Sequence, residues 1–287
     1  MANYEDELDE VLAETSTENK TVIITMVNEA YVEGDKSMLD LFLDGFWVGD
    51  GTQGLINHIL IVATDQVAYN RCKFLRLHCY KLETEGLDFT AEQHFLSEDY
   101  VKLMWRRTQF LGDVLKRGYN FIFTDTDILW LRNPFSIMNP NETFDFQIAC
   151  DHYQGNYQDD VNNGFVIVRS NNKTISLYDT WYAKREVYVG KNEQLVLQKL
   201  MRNGLFGELG LNARLLDTLY FSGFCQNSRD IGSVVTVHAN CCLTISAKLI
   251  DLTIVIHEWK AAKKLSAPER SKFKWSEHVA CLNSWKH

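Results

Sequence analysis

The densest cluster of residues able to do chemistry is FIFTDTDILWLRNPF at 121–135, where Asp125 and Asp127 stand one residue apart at the end of an apolar run. Two carboxylates so spaced after a buried strand can hold Mn²⁺ or Mg²⁺ through hard oxygen ligands and leave positions for diphosphate oxygens. A metal there would act as a Lewis acid, neutralising charge on a departing nucleoside diphosphate. A bare Asp-x-Asp is common. The apolar strand before this one and the apolar-Trp-apolar-Arg-Asn-Pro run after it give it specificity.

Other strand-DxD chemistry exists. In haloacid-dehalogenase-type phosphatases the first Asp is a nucleophile, the motif usually sits near the start of the domain, and a Thr commonly follows within two residues. Here the motif is central and Ile128, Leu129 and Trp130 follow, so a phosphatase ranks as the lesser reading. A catalytically silent nucleotide- or sugar-binding protein on the same fold is a further alternative.

The elements that must position these carboxylates read as an α/β chain. Thr21 to Val27 and Ile56 to Ala63 are short, apolar and β-branched, as buried strands are, and Phe74 to His78 is a candidate third strand. Ser37 can cap a helix presenting Leu39, Phe42, Leu43 and Phe46. Ser97 opens a long helix to Lys116, ended by Gly118, and Tyr119 to Thr124 is the strand that runs into Asp125. Beyond it, Phe146–Ala149, Phe165–Arg169 and Val234–His238 read as strands, with Ile175–Tyr188 and Glu193–Arg202 as helices. Strands hidden on both faces and alternating with helices predict a Rossmann-like, mostly parallel central sheet with helices on both faces. Ligands of such sheets sit at the carboxyl ends of the strands, which puts Thr25, Asn28, Asp65 and Asp125 on a common rim.

Bulk properties narrow the partners. The 287 residues carry a net charge of −9, against nucleic acid or an anionic membrane as partner. No stretch of 18 apolar residues occurs, so no membrane span is expected. The first 20 residues are acidic and read as a flexible leader, without the basic start and apolar stretch of a signal peptide. Residues 21–287 read as one domain, since no linker divides them. Of seven cysteines at least one is unpaired within the chain, Cys72 and Cys79 could close a short loop in an oxidising compartment, and no CxxC pair points to zinc.

The Asp-x-Asp run, taken with VIITMVNEAY, LINHILIVATD, MWRRTQFLGDVLKRGYNFIFTDTDILWLRNPF, VNNGFVIVRS, KNEQLVL and TVHANCC, resembles the plant nucleotide-diphospho-sugar transferase family, grouped with the rhamnogalacturonan xylosyltransferases in glycosyltransferase family 77. The resemblance runs from about residue 21 to about 260 and keeps the motifs in order. It implies a GT-A fold with a nucleotide-binding half at about 21–135 and an acceptor half at about 136–287. It also implies a UDP-sugar donor, a glycan or other hydroxyl acceptor, Mn²⁺ (or Mg²⁺), retention of anomeric configuration, and a Golgi type II membrane setting. The missing anchor keeps a cytoplasmic location as the alternative.

The resemblance also suggests roles residue by residue. Asp127 would ligate the metal, Asp125 would share it or bind the ribose, and His238 in TVHANCC would be the late third ligand, a plain structural histidine being the bland alternative. Thr25, Asn28 and Asp65 become candidates for uracil and ribose. Arg106 or Arg107 would reach the diphosphate, for which a guanidinium is well shaped, unless both simply line a solvated helix face. Asn163 would bond sugar hydroxyls and Gly164 would let backbone come close, whereas an ordinary Asn-Gly turn is the competing reading. Glu193 or Gln194 would lie near the anomeric carbon, on a helix start that Asn192 can cap. The implied mechanism is front-face transfer, with double displacement through Glu193 the less favoured variant.

Overall fold

The computed structural model describes residues 6–83, 97–136, 143–156, 159–270 and 272–286. Ten strands occur among them, in chain order: β1 Thr21–Val27, β2 Ile59–Ala63, β3 His78–Lys81, β4 Asn120–Thr124, β5 Ile128–Trp130, β6 Phe146–His152, β7 Asp160–Val168, β8 Ala213–Leu215, β9 Phe221–Gly223 and β10 Thr236–His238. The helices that matter here are α1 Glu7–Thr15, α2 Glu29–Val32, α3 Met38–Val48, α4 Gln66–Phe74, α5 Glu98–Lys116, α6 Asn172–Ala183, α7 Glu193–Arg202, α8 Leu205–Glu208 and α9 Ile245–Ala262.

Seven strands form the main sheet in the order β3-β2-β1-β4-β7-β6-β8. The pairs β3–β2, β2–β1, β1–β4 and β6–β8 are parallel, while β7 runs antiparallel to both neighbours. This is the mostly parallel α/β sheet that the apolar runs predict. Helices cover both faces because successive side chains of a strand point to opposite sides. Val22 and Ile24 of β1 join the core beneath α1, α5, α6 and α7, whereas Ile23 joins the core beneath α3 and α4.

A second sheet, β5-β10-β9, has three strands. β5 begins directly after the Asp-x-Asp, so the motif forms the junction where the chain leaves one sheet and enters the other.

Several expected boundaries move. Residues 7–15 are not an exposed leader: Asp6 caps α1 through the Asp9 amide, and Leu8, Val11, Leu12 and Thr15 bury the i, i+3, i+4, i+7 face against β2 and β3. Full burial of Leu12 alone contributes roughly 1.5–3 kcal/mol, which outweighs a charged opposite face free to stay in water. The third strand is His78–Lys81 and not Phe74–His78. The Phe74 end belongs to α4, and the chain turns at Arg76, whose φ is +57°. VNNGF lies inside β7, with Val161 and Asn162 paired against β6, and so is not a hairpin turn. The first helix of the later half, α6, runs from Asn172 to Ala183 and so stops short of Tyr188.

Candidate active site

β4 ends at Thr124 against β7, and the Asp125 amide donates to Gly164 O at 2.7 Å. Thr126 turns back to β1, its hydroxyl 3.0 Å from that of Thr25 and 3.3 Å from Met26 O. Asp127 closes the junction by accepting at its carbonyl from the Ala239 amide at 3.0 Å. Because β10 pairs antiparallel with β5 and places His238 opposite Ile128, a histidine 111 residues downstream arrives beside Asp127.

The ligand atoms of Asp125, Asp127 and His238 all lie within 4.8 Å of one another. His238 Nε2 stands 3.3 Å from Asp127 Oδ1 and 3.9 Å from Asp125 Oδ2. Two hard carboxylate oxygens and a neutral imidazole suit Mn²⁺ or a similar divalent ion. Gly164 leaves the room: a Cβ there would stand 2.4 Å from Asp125 Oδ2 and 2.7 Å from His238 Cε1.

Charge is balanced around this cluster. Lys248, on α9, brings Nζ to 2.7 Å from Asp127 Oδ2. Burial pushes the Asp127 carboxyl up, but Lys248 and His238 together hold it well below the usual carboxylate range. Burial would lower His238, yet Asp127 and Asp125 raise it above its ordinary value. Asp125 goes the other way from Asp127: burial and the neighbouring Asp127 carboxylate push it up against the pull of Arg107.

Behind the cluster lies a buried ionic group. Arg107 donates to Asp125 Oδ1 at 3.1 Å and to Glu193 Oε1 at 2.6 Å, and Asn163 Nδ2 donates to the same Glu193 oxygen at 2.9 Å. The side chains of Arg107 and Glu193 are 6% and 2% exposed, so this group belongs to the interior. The Asn163 amide N–H donates to Gln194 Oε1, and Asn192 caps α7 through the Leu195 amide.

In front of the metal ligands opens a cleft of about 320 Å³. Of the residues predicted for the site it is lined by Asn28, Arg107, Asp125, Asp127, Asn163, Gln194 and His238. Four predicted residues do not line it. Thr25 is fully buried against Thr126. Asp65 spends its carboxylate on the Ala68 amide, capping α4, and on the Glu29 amide. Arg106 faces away, donating to Glu83 O and Gln109 Oε1. Glu193 lies behind Arg107 and Asn163, its carboxylate drawn inward by them. Arg107 lines the cleft and holds Asp125 and Glu193 with two of its five N–H donors. Asn163 also lines the cleft, with one side-chain N–H given to Glu193.

The sequence reading missed Lys248, Asp151, Asn162 and Asn240. Asp151 Oδ1 accepts from Asn162 Nδ2 at 2.8 Å and Asn240 Nδ2 at 2.7 Å, linking β6, β7 and the exit of β10 across the cleft. Asn162 and Asn240 stand in motifs already singled out, VNNGF and TVHANCC, so those two were within reach. Lys248 was not, because α9 is apolar nearly all round and gives no amphipathic signal.

A model of the nucleotide-diphospho-sugar transferase family matches residues 54–252, a span containing Asp125, Asp127, Gly164, His238 and Lys248. An uncharacterized protein of Arabidopsis thaliana is 52% identical over 98% of this chain and 84% of its own length. A UDP-D-xylose:L-fucose alpha-1,3-D-xylosyltransferase of Arabidopsis thaliana is 26% identical over 42% of this chain and 31% of its own. Among solved structures, a glycosyltransferase involved in glycosylation of the major capsid of PBCV-1 covers 81% of this chain and 98% of its own at 12% identity, with a TM-score of 0.46. The phosphatase alternative loses its ground, and the mostly parallel α/β sheet expected from the motifs stands. The chain belongs to the nucleotide-diphospho-sugar transferase family and is a glycosyltransferase.

Proposed function

We propose that this glycosyltransferase is metal-dependent and retaining, moving a sugar, a pentose or galactose, from a UDP-sugar to a hydroxyl of a glycan, glycoprotein or small-molecule acceptor. The observation that carries the reading is the convergence of Asp125, Asp127 and His238 at the floor of the cleft, in a chain of this family. The similarity to an enzyme named for UDP-D-xylose and an alpha product supports the donor class and retention.

Asp127 and His238 would hold Mn²⁺ or Mg²⁺ with Asp125, and the ion supplies charge neutralisation for a departing diphosphate. Arg107 fixes the rotamer of Asp125, and Gly164 keeps the space between Asp125 and His238 clear. Lys248 and Arg107 both line the cleft, each paired with carboxylates and each with further N–H donors that would serve a phosphate oxygen. Asn28 and Thr64, at the carboxyl ends of β1 and β2, sit where the nucleoside belongs in a sheet of this type.

Front-face transfer fits the cleft better than double displacement. A nucleophile must come within about 3–3.5 Å of the anomeric carbon, and Glu193 does not line the cleft. Gln194 does, and its side-chain amide would steady the sugar. The halves divide as donor side, about 21–135, and acceptor side, about 136–287. Three disulfides, Cys72–Cys79, Cys225–Cys241 and Cys242–Cys281, support work in an oxidising compartment, here the Golgi lumen.

Titration of UDP with and without Mn²⁺, on the wild type and Asp127→Ala, tests the reading. Mn²⁺-dependent binding lost in the variant is expected; no UDP binding by the wild type under either condition would sink it.

A further inference from the structure

Trp285 lines the cleft beside Cys241, Cys242 and Leu243, and the donor site gives it no task. Residues 279–285 are held there by several independent ties. Cys281 is bridged to Cys242, and its amide donates to the buried carboxylate of Asp251 at 2.8 Å. The Leu243 amide donates to Ser284 Oγ at 3.0 Å, and Trp285 Nε1 donates to Cys241 O at 2.8 Å. Cys241 is itself bridged to Cys225, and the neighbouring Phe224 ring stacks on His278 at 3.5 Å between centroids. Cys241 comes three residues after His238, so the indole is tied to the strand exit that carries the candidate metal ligand.

Trp285 lines the cleft and is 56% exposed, with no ring partner among the described residues. Trp47 is exposed to a similar degree, at 62%, but does not line the cleft. An exposed indole at the rim, with its N–H already satisfied and its position fixed from several sides, offers a flat apolar face at little cost in side-chain entropy. A pyranose has such a counterpart, since its axial C–H groups make one face apolar while its hydroxyls lie at the edges. The same cleft provides for those edges: Asp151 Oδ2 makes no hydrogen bond among the described residues, both amides being given to Oδ1. The nucleoside end of the cleft, at Asn28 and Thr64, is formed by other elements, the ends of β1 and β2.

We infer that Trp285 is the acceptor platform of this enzyme: the acceptor is a carbohydrate, and its sugar ring stacks on the indole while the transferred sugar is received over Asp125 and Asp127. The inference rests on the transferase reading above. It also makes the Cys242–Cys281 bridge a positioning device for acceptor binding.

The test uses the whole chain with Mn²⁺, the UDP-sugar it turns over, and methyl glycosides of L-fucose, D-galactose, D-xylose and L-arabinose as acceptor probes. UDP release is followed in the wild type, Trp285→Ala and Trp285→Phe, together with UDP affinity. At least one glycoside should accelerate UDP release over water. Trp285→Ala should raise its half-saturating concentration roughly tenfold, Trp285→Phe should recover most of that loss, and UDP affinity and release into water should stay within about twofold. The platform is overturned if Trp285→Ala leaves the half-saturating concentration unchanged, if UDP affinity falls in step with it, or if no glycoside accelerates release by a wild type that binds UDP. Absence of UDP binding in the wild type would instead strike the transferase reading itself.

Discussion

The parallel part of the molecule and its C-terminal part are stabilised by different means. β3, β2, β1 and β4 are held by a continuous ladder and by apolar side chains on both faces, with one buried ionic group, Arg107–Glu193–Asn163, at the edge of the cleft. Of the three disulfides, only the short Cys72–Cys79 loop lies there. The region after β9 joins the three-residue strand β10 and the helix α9 in a smaller apolar core, and its loops are tied down by Cys225–Cys241 and Cys242–Cys281. One region is fixed by a continuous sheet covered on both faces, the other by a smaller core reinforced with two covalent ties. The active site takes its carboxylates from the first and its histidine, lysine and cleft wall from the second.

The largest effect should come from breaking the ionic group of the first region. Arg107→Ala leaves Glu193 as a buried charge without its cation, a change that costs roughly 3–5 kcal/mol. The loss should appear in the denaturant midpoint of the entire fold, and Glu193→Gln added to it should return part of the stability. A midpoint moved by less than about 1 kcal/mol would mean that the group is not structural.

Cutting a tie in the second region should do less, and locally. Cys281→Ser removes a bridge closing a sequence separation of 39 residues, worth about 2–4 kcal/mol. Hydrogen exchange should quicken in residues 272–286 while the amides of β1, β2 and β4 keep their protection. Equal loss of protection in both regions would erase the contrast between them.

The smallest effect is one of pH. Burial lowers the pKa of His278 below its ordinary 6.5, against the weaker pull of Asp251. The folded chain therefore keeps this ring neutral where the unfolded chain would protonate it. Its stabilising share is present above pH 6.5 and is lost as pH falls below that value, at no more than about 1.4 kcal/mol per unit for a single proton. Chemical denaturation at pH 7.5 and 5.5 checks it: the acid loss should be smaller in His278→Gln than in the wild type, and an equal loss in both would remove His278 as a cause.

The amino-acid sequence alone determined the parallel sheet and the place of Asp125 and Asp127 at its rim. Those features depend on local quantities: β-branched apolar runs long enough for a buried strand, Ser37 and Ser97 as helix caps, and a motif continuous in the chain. α1 was misread because seven acidic residues in the first 20 dominate its composition, although Leu8, Val11 and Leu12 already carried the helical spacing.

Tertiary structure decided the rest, since it turned on which partner each polar group found. Asp65, Arg106, Arg107, Asn163 and Glu193 have the types and positions of ligand-binding residues. Helix capping claims Asp65, a neighbouring carbonyl claims Arg106 and the buried ionic group claims Glu193, while Arg107 and Asn163 line the cleft and tie into that same group. Lys248 and Trp285 stand 121 and 158 residues beyond Asp127, and no local pattern marks either of them. The pairing of β5 with β10 and the bridges at Cys241 and Cys242 bring both to the cleft, through contacts between residues far apart in the chain.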